Sequence, residues 1–412
     1  MNRRKIIALA LCAVLALGLL AGCGAAKTAP EPTAEPTAEP AADPTAEPAD
    51  AETEEETADA DAAYQAIVDE LKRVGGTYDP DTVVCTVDGE DVTWSMYYYL
   101  ITDELQSFLY YTGALPTDYG EQLTEDRTLG DYLKEMAVTK SKYYAVAHTR
   151  AAAAGVQLSQ EAEAELQDYW AQMEEAYGGA EGLQQALDES NLTQDLFLYL
   201  LRCSRELEAL MDSTYGTAGE KMAPEDVIAW ARDGGYIRVK HILYFFYDDA
   251  GQPMDDEGKE QQRLRAETTL AELQALSGDN EALEERFNEI MTADSGDAGG
   301  LSRFPEGYTF TAGTMYPEFE DAAFAMEEFA LSELVESQSG YHIILRLPLD
   351  TEGLTMDQDA NTGEYLTLRQ SAANDLFAKD MAAWMEAAEV EWAPGFEDLD
   401  MNALFGVGPE SE

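Results

Sequence analysis

Ile237-Arg-Val-Lys-His-Ile-Leu-Tyr-Phe245 and Ser339-Gly-Tyr-His-Ile-Ile-Leu-Arg-Leu347 are the two stretches whose reading decides the fold. Both are short, apolar runs rich in β-branched and aromatic residues, the composition of strands. Alternation puts Val239, His241, Leu243 and Phe245 on one face of the first, away from Arg238 and Lys240. The whole chain has three histidines, and each stretch carries one, His241 and His342. Between them lie an acidic loop, Asp248 to Glu257, and a helical pattern with Leu264, Leu270 and Leu273. A second helical pattern begins at Asp279 or Asn280, with Leu283, Phe287 and Ile290 at i, i+4 and i+7. Asp294, a glycine turn and Met315-Tyr-Pro-Glu-Phe-Glu-Asp-Ala-Ala-Phe324 complete the interval. The order strand, helix, helix, turn, helix, strand predicts an α+β domain over 236–349, with a small antiparallel sheet and a pocket shared by two imidazoles. Three readings of that pocket are open: two satisfied core histidines, a polar site, or a metal site using His241, His342 and Asp294, all of them ligand types. No cysteine or close histidine pair supports a metal, so neither metal nor cofactor is expected.

Working outward toward the N-terminus, residues 63–235 read as helical behind a small hairpin. Val83-Val-Cys-Thr-Val87 runs into Asp88-Gly89, a type I′ turn signal. Thr93 precedes a helix to about Tyr111, with Trp94, Tyr97, Tyr98, Ile101, Leu105 and Phe108 at helical spacing. Further helices are predicted from Asp126 to Ala153, from Ser159 to the stop at Gly178-Gly179, from Thr193 to Tyr215, and from Pro224, a favoured first helical residue. Clustered aromatics such as Tyr97 to Tyr99 and Tyr110-Tyr111 are either core or a surface cradle for apolar segments of other chains. His148 reads as a surface or packing residue. Cys85 and Cys203 are either one bridge or two small buried hydrophobes. Toward the C-terminus, a polar loop follows Pro348. A helix from Glu364 to Ala388 lies in a 350–397 segment expected to pack back on the N-terminal helices, which makes 236–349 an insertion. An acidic tail, 398–412, is expected to be loosely ordered.

The first residues are an address rather than a fold. Asn2-Arg-Arg-Lys5 precedes an apolar run from Ile6 to Leu20, the layout of an export signal. It ends in Leu20-Ala-Gly-Cys23, which resembles the lipobox of bacterial lipoproteins. The resemblance implies removal of residues 1–22 and diacylation of Cys23, which anchors the chain to the outer face of a membrane. Residues 23–62 then form a tether in which Pro32, Pro36, Pro40, Pro44 and Pro48 recur every four residues before an acidic run. Proline and like charge extend such a segment to about 100 Å at ~3.1 Å per residue. With 82 Asp and Glu against 25 Lys and Arg, the formal charge is −57. Nucleic-acid binding requires basic surface and is excluded as a role.

Five segments occur in register: Val239-Lys-His-Ile-Leu243, Met291-Thr-Ala-Asp294, Gly299-Gly300-Leu301, Met315 to Phe324, and Ser339-Gly-Tyr-His-Ile-Ile344. Together they resemble a parvulin-type peptidyl-prolyl isomerase domain. With the lipobox and the flanking helices, the likeness extends to extracytoplasmic foldases of the PrsA and SurA kind. The resemblance implies prolyl cis–trans isomerisation without a cofactor, on unfolded or partly folded exported polypeptides containing X–Pro bonds. It places His241, Asp294 and His342 in catalytic positions, with Asp294 where the family has Cys or Asp. Leu301, Met315, Phe319 and Ser339 are its substrate-binding residues, and Ser337 is a further candidate for the histidine network. A holdase chaperone with a weak or inactive parvulin domain is the alternative. The family's Gly-Gly-Asp-Leu-Gly-Trp-Phe stands here as Ala298-Gly-Gly-Leu-Ser-Arg-Phe304, without the Asp or the second turn glycine. The acidic first loop opposes selection for a phosphorylated residue before proline, by like-charge repulsion.

Overall fold

The structure, a computed structural model, describes residues 54–248 and 251–407. The export signal, Cys23 and most of the tether lie outside the described residues, as do 408–412 of the tail. Among the described residues no helix is long and apolar enough to cross a membrane. They divide into two compact units: Tyr215–Leu376 is one, and the segments before and after it form the other. The chain therefore leaves the first unit, builds the second, and returns.

In the first unit, α1 (Glu54–Gly75) is followed by the hairpin β1 (Val83–Val87) and β2 (Glu90–Thr93). Its turn residues Asp88 and Gly89 have φ of 51° and 84°, the two positive values a type I′ turn requires. The late strand β11 (Val390–Trp392) adds to the other edge of β1, opposing Cys85 to Trp392. α2 (Trp94–Thr112) starts with the buried Trp94, whose indole N–H donates to the Gly75 carbonyl at 2.7 Å. Thr93 stands at the helix N-cap without a side-chain capping bond. A two-stranded ribbon, β3 (Gln122–Thr124) and β4 (Arg127–Thr128), leads into α3 (Leu129–Ala153), which opens on a reciprocal capping box between Thr128 and Asp131. Ser159 caps α4 (Gln160–Ala176) as its spacing predicts, and α5 (Ala180–Glu189) and α6 (Gln194–Tyr215) follow.

The aromatic clusters divide between the interior and the surface. Tyr97, Tyr98 and Tyr99 are core, whereas Tyr110 and Tyr111 are 68% and 84% exposed. Cys85 and Cys203 are buried free thiols. The tail departs from its expected looseness. α13 (Met401–Phe405) buries Met401, Leu404 and Phe405, and Phe405 stacks on Tyr119 at 4.6 Å. Three apolar residues at i, i+3 and i+4 are enough to dock a single turn inside an acidic segment.

The second unit contains α7 (Pro224–Asp233), β5 (Ile237–Phe245), α8 (Asp256–Gln274), α9 (Asn280–Asp294), α10 (Ala298–Arg303), β6 (Tyr308–Phe310), α11 (Pro317–Phe324), β7 (Val335–Glu336) and β8 (Gly340–Leu347). It continues through β9 (Leu354–Gln358), β10 (Tyr365–Thr367) and the start of α12 (Leu368–Ala387). The sheet is six-stranded in the order β10-β9-β6-β5-β8-β7. β5 and β8 pair antiparallel from Arg238↔Leu347 to Phe245↔Gly340, so the two histidine strands are neighbours.

Two features differ from the sequence expectation. The polar loop after Pro348 contains β9 and β10, and β9 pairs parallel to β6, so the sheet is mixed. A short strand such as Leu354-Thr-Met-Asp-Gln358 carries little hydrophobic alternation to announce it. The Pro224 helix, read with the N-terminal helices, belongs to the second unit, where Val227 and Ala231 pack with Tyr236, Leu368 and Ala372. Arg369 fastens the same corner, donating to the Met222 carbonyl at 2.7 Å and to Glu352 at 2.8 Å.

The alternation of β5 sorts its neighbours. Ile242 and Tyr244 face α8 and α9, in a core with Leu270, Leu273, Leu283, Phe287 and Ile290. Lys240 is buried on that side, and its Nζ reaches Glu284 at 3.1 Å. Ile237 and Val239 face α11, in a second core with Phe310, Phe319, Ala323 and Ile344. Each fully buried side chain of this kind contributes about 1.5–3 kcal/mol. Beyond Val239, β6 no longer pairs with β5. Residues 295–297 take its place: the Leu243 N–H donates to Ser295 Oγ at 3.1 Å, and the Gly296 N–H donates to the Leu243 carbonyl at 2.7 Å. This lays the start of α10 against His241.

Candidate active site

His241 and His342 lie on adjacent strands with their side chains on the α11 face. Their rings stack at 5.3 Å, and the two Nδ1 atoms are 3.1 Å apart. They are 8% and 4% exposed. Phe319 of α11 presents its ring edge-on to both, at 5.3 Å from each.

A polar chain runs through the pair. His241 Nε2 meets Asp297 Oδ2 at 2.8 Å, and His342 Nε2 meets Ser337 Oγ at 2.7 Å. The Ser339 N–H donates to Ser337 Oγ at 3.1 Å. A carboxylate only accepts, so His241 Nε2 carries hydrogen. The Nδ1–Nδ1 contact holds one proton, and its position fixes the rest of the chain. With the proton on His342 Nδ1, His342 Nε2 accepts and Ser337 donates. Placing it on His241 Nδ1 would require one more proton on the pair, so with two neutral imidazoles the row runs one way, from the Ser337 hydroxyl through His342 and His241 to Asp297.

Asp297 is held from two sides. As N-cap of α10, its Oδ1 accepts the Gly300 N–H at 3.0 Å. Its Oδ2 accepts from His241 and also from the Tyr308 hydroxyl. Burial alone would raise its pKa. The bonds from His241, Tyr308 and the Gly300 N–H overcome that and hold it down to about 2. Burial, then the neighbouring His241, push His342 down to about 3 against the pull of Asp297. Gly300 is required by contact: a Cβ there would lie 1.5 Å from Tyr308 Oη and 2.3 Å from Asp297 Oδ2.

The structure gathers some of the sequence candidates and disperses others. His241, His342, Phe319 and Ser339 converge, and Ser337 joins them. Met315 packs in the same core as Phe319. Its loop is fixed by Glu320, whose carboxylate collects the N–H groups of Gly313, Thr314 and Met315 at 2.9, 2.7 and 2.8 Å. Asp294 does not join them. It ends α9 with a half-exposed side chain that pairs with Arg265 at 3.6 Å. Helix α9 runs on through Asp294, and Asp297, three residues on, occupies the place beside His241. Leu301 also parts from the group, packing against the α8–α9 core. The signal for Asp297 was its Asp-x-x-Gly spacing to Gly300, a capping pattern. Tyr308 carried no local signal.

Residues 241–347 match the Rotamase family, described as a PPIC-type PPIASE domain. A putative peptidyl-prolyl cis-trans isomerase NifM of Azotobacter chroococcum mcd 1 is 25% identical over 186 residues, 44% of this chain and 59% of the relative. The foldase protein PrsA of Halalkalibacterium halodurans is 41% identical over 109 residues, 26% of each chain. The chain thus spans about three fifths or less of these relatives' length. A crystal structure of a peptidylprolyl isomerase (PrsA) from Bacillus anthracis overlaps 61% of this chain and 96% of its own, at 17% identity and a TM-score of 0.23. A score that low says nothing of a shared overall shape.

Proposed function

We propose that the PPIC-type PPIase domain at residues 241–347 is an active prolyl isomerase, and that the chain is a membrane-anchored foldase for exported polypeptides. The observation that carries this is the buried chain Asp297–His241–His342–Ser337 set against the apolar edge of Phe319. Prolyl isomerisation must lower an imide rotation barrier of about 18–20 kcal/mol. The two isomers differ by only about 0.5–1 kcal/mol, so the work is all in the barrier. It requires no cofactor and no nucleophile. Phe319 and Met315 form the apolar wall for the proline ring, and loss of water there weakens imide resonance. The histidine pair supplies fixed dipoles that favour the twisted imide, whose charge distribution differs from the planar form. His241, His342 and Ser339 are the groups nearest the substrate in this reading. Asp297 is a positioning residue, setting the tautomer and angle of His241.

The test is acceleration of cis–trans exchange in a short X–Pro peptide by the purified chain. A rate no greater than the uncatalysed one ends the enzyme reading. The address rests on the export signal and Leu20-Ala-Gly-Cys23. Replacing Cys23→Ser should move the protein from the membrane fraction to the soluble fraction, and persistence at the membrane would refute lipidation. Clients are unfolded exported chains. The acidic loop with Asp248, Asp255, Asp256 and Glu257 disfavours phosphorylated residues before proline. The holdase reading is favoured by Tyr110, Tyr111 and Leu123, which are 68%, 84% and 49% exposed. It predicts suppression of aggregation that survives loss of isomerase activity.

A further inference from the structure

The first unit brings three different metal-ligating side chains to one point. His148 stands in the last turns of α3. Cys203 and Glu206 lie at i and i+3 on α6, one above the other. His148 Nδ1 meets Glu206 Oε2 at 2.7 Å, and the ligand atoms of His148, Cys203 and Glu206 all lie within 4.8 Å of one another. We propose that these three side chains bind one zinc(II) ion, through His148 Nδ1, the Cys203 thiolate and a Glu206 carboxylate oxygen, with water in the fourth position.

Five observations support the assignment. The ligand set is mixed nitrogen, sulfur and oxygen, which suits zinc. Metal–ligand lengths of about 2.0–2.3 Å place tetrahedral ligand atoms roughly 3.3–3.8 Å apart. The cluster is therefore within about 1 Å of that geometry, a distance a side-chain rotation covers. Charge also balances: one thiolate and one carboxylate neutralise a divalent ion, so none remains unpaired in a buried place. Access is graded in the right direction. Cys203 is fully buried, the Glu206 side chain is 12% exposed, and the His148 side chain is 35% exposed, leaving an approach from the imidazole side. Tyr199, one turn before Cys203, is hydrogen-bonded to the sulfur and lies 6.0 Å from the His148 ring, the outer partner a ligand thiolate needs.

Without metal, Cys203 is a thiol. Burial above all, with Glu206 and Glu90 adding to it, pushes its pKa up to about 12, against Tyr199 and Arg202. Zinc must therefore displace that proton, and its apparent affinity rises with pH. The acidic surface will bind cations weakly anywhere, so the discriminating signal is the thiolate.

The experiment is cobalt(II) and zinc(II) titration of the purified full chain. We expect one tight zinc, a thiolate-to-cobalt charge-transfer band, and release of a proton. Cys203→Ser should abolish the band and lower zinc affinity by more than about 100-fold, beyond the ~10–100-fold typical of losing an outer partner. His148→Gln, at the more exposed position, should weaken binding without unfolding the helices. Cys85→Ser should keep the band. Absence of the band, its survival in Cys203→Ser, its loss in Cys85→Ser, or unchanged zinc affinity in His148→Gln would each overturn the site. None of these readouts depends on isomerase activity.

Discussion

Asp297→Asn separates the two aspartates that compete for the place beside His241. The carboxylate accepts the His241 N–H, the Tyr308 O–H and the Gly300 N–H together. An amide keeps one acceptor oxygen and turns an N–H₂ group toward a donor it cannot satisfy. Bonds to a charged group contribute about 1.5–3 kcal/mol. The same bonds lower the carboxyl's pKa, and the two figures are alike. The Asp297 pKa falls from 3.8 to about 2, and at ~1.36 kcal/mol per unit this corresponds to roughly 2 kcal/mol of native-state stabilisation. We expect urea unfolding of the second unit to show a loss of that order at pH 7. Because His241 loses its orientation, kcat/KM for an X–Pro peptide should fall about 10–100-fold, mainly in kcat, since Asp297 does not touch the substrate.

Asp294→Asn is the control. Its carboxylate and the Arg265 guanidinium are each 53% exposed and 3.6 Å apart, and surface pairs of this kind are worth about 0–1 kcal/mol. Activity within about twofold of the parent is expected, given ~1.36 kcal/mol per tenfold in rate. Full activity in Asp297→Asn with a loss in Asp294→Asn would refute the geometric assignment and restore the one implied by family resemblance.

Other consequences follow from the same residues. His342 has a folded pKa of about 3 against an ordinary 6.5, so the unfolded chain binds the extra proton between those values. Its contribution is complete above pH 6.5 and is lost as pH falls toward 3, with a slope approaching ~1.4 kcal/mol per pH unit; a His342→Gln variant should lack this component in unfolding curves measured from pH 7 to 5. Gly300→Ala should cost activity as Asp297→Asn does, since its Cβ would displace Tyr308 and Asp297, whereas Gly299→Ala, with open space around it, should be silent in the same assay. Phe319→Leu preserves an apolar filler and should cost less than about 1.5 kcal/mol of stability while raising KM. Leu301→Ala should do the reverse, losing about 2 kcal/mol with KM unchanged, and a KM effect there would put Leu301 back in the proline slot.

What could be read from the sequence was whatever repeats or alternates. The period-two runs ending at Phe245 and Leu347 located the paired strands, and alternation alone placed His241 opposite Lys240. Asp88-Gly89 announced its hairpin because only a turn with two positive φ values calls for that pair. Caps at Ser159 and Asp279 were visible as single residues before periodic runs, whereas Asp255, which caps α8, was read as part of the acidic loop. Contacts made across long separations were hidden. Nothing near Tyr308 predicts that its hydroxyl reaches Asp297, and nothing near Leu354 predicts a parallel partner in β6. The separation of Asp294 from the histidine pair has a specific origin. A family position was carried through a region where helix α9 runs to its last residue, and helix length, which shifts a side chain by 100° per residue, cannot be fixed by spacing to within the needed three residues.

The altered turn then takes on a different meaning. Against the family pattern, Ala298 to Phe304 lacks an Asp and a glycine, and the loss points to a weakened site. In the structure the same residues form α10, a short helix whose N-cap is Asp297. One carboxylate thus performs two tasks: Oδ1 ends the helix by taking the Gly300 N–H, and Oδ2 faces His241. The missing loop residue is replaced by a helix terminus, whose partial positive charge also favours the ionised carboxylate. This arrangement accounts for a steric need for glycine at 300 and none at 299. It also couples fold and site: whatever unwinds α10 also frees Asp297 from His241. Stability of that single turn and turnover at the histidines should therefore fall together across substitutions in 297–300, rather than trade against each other.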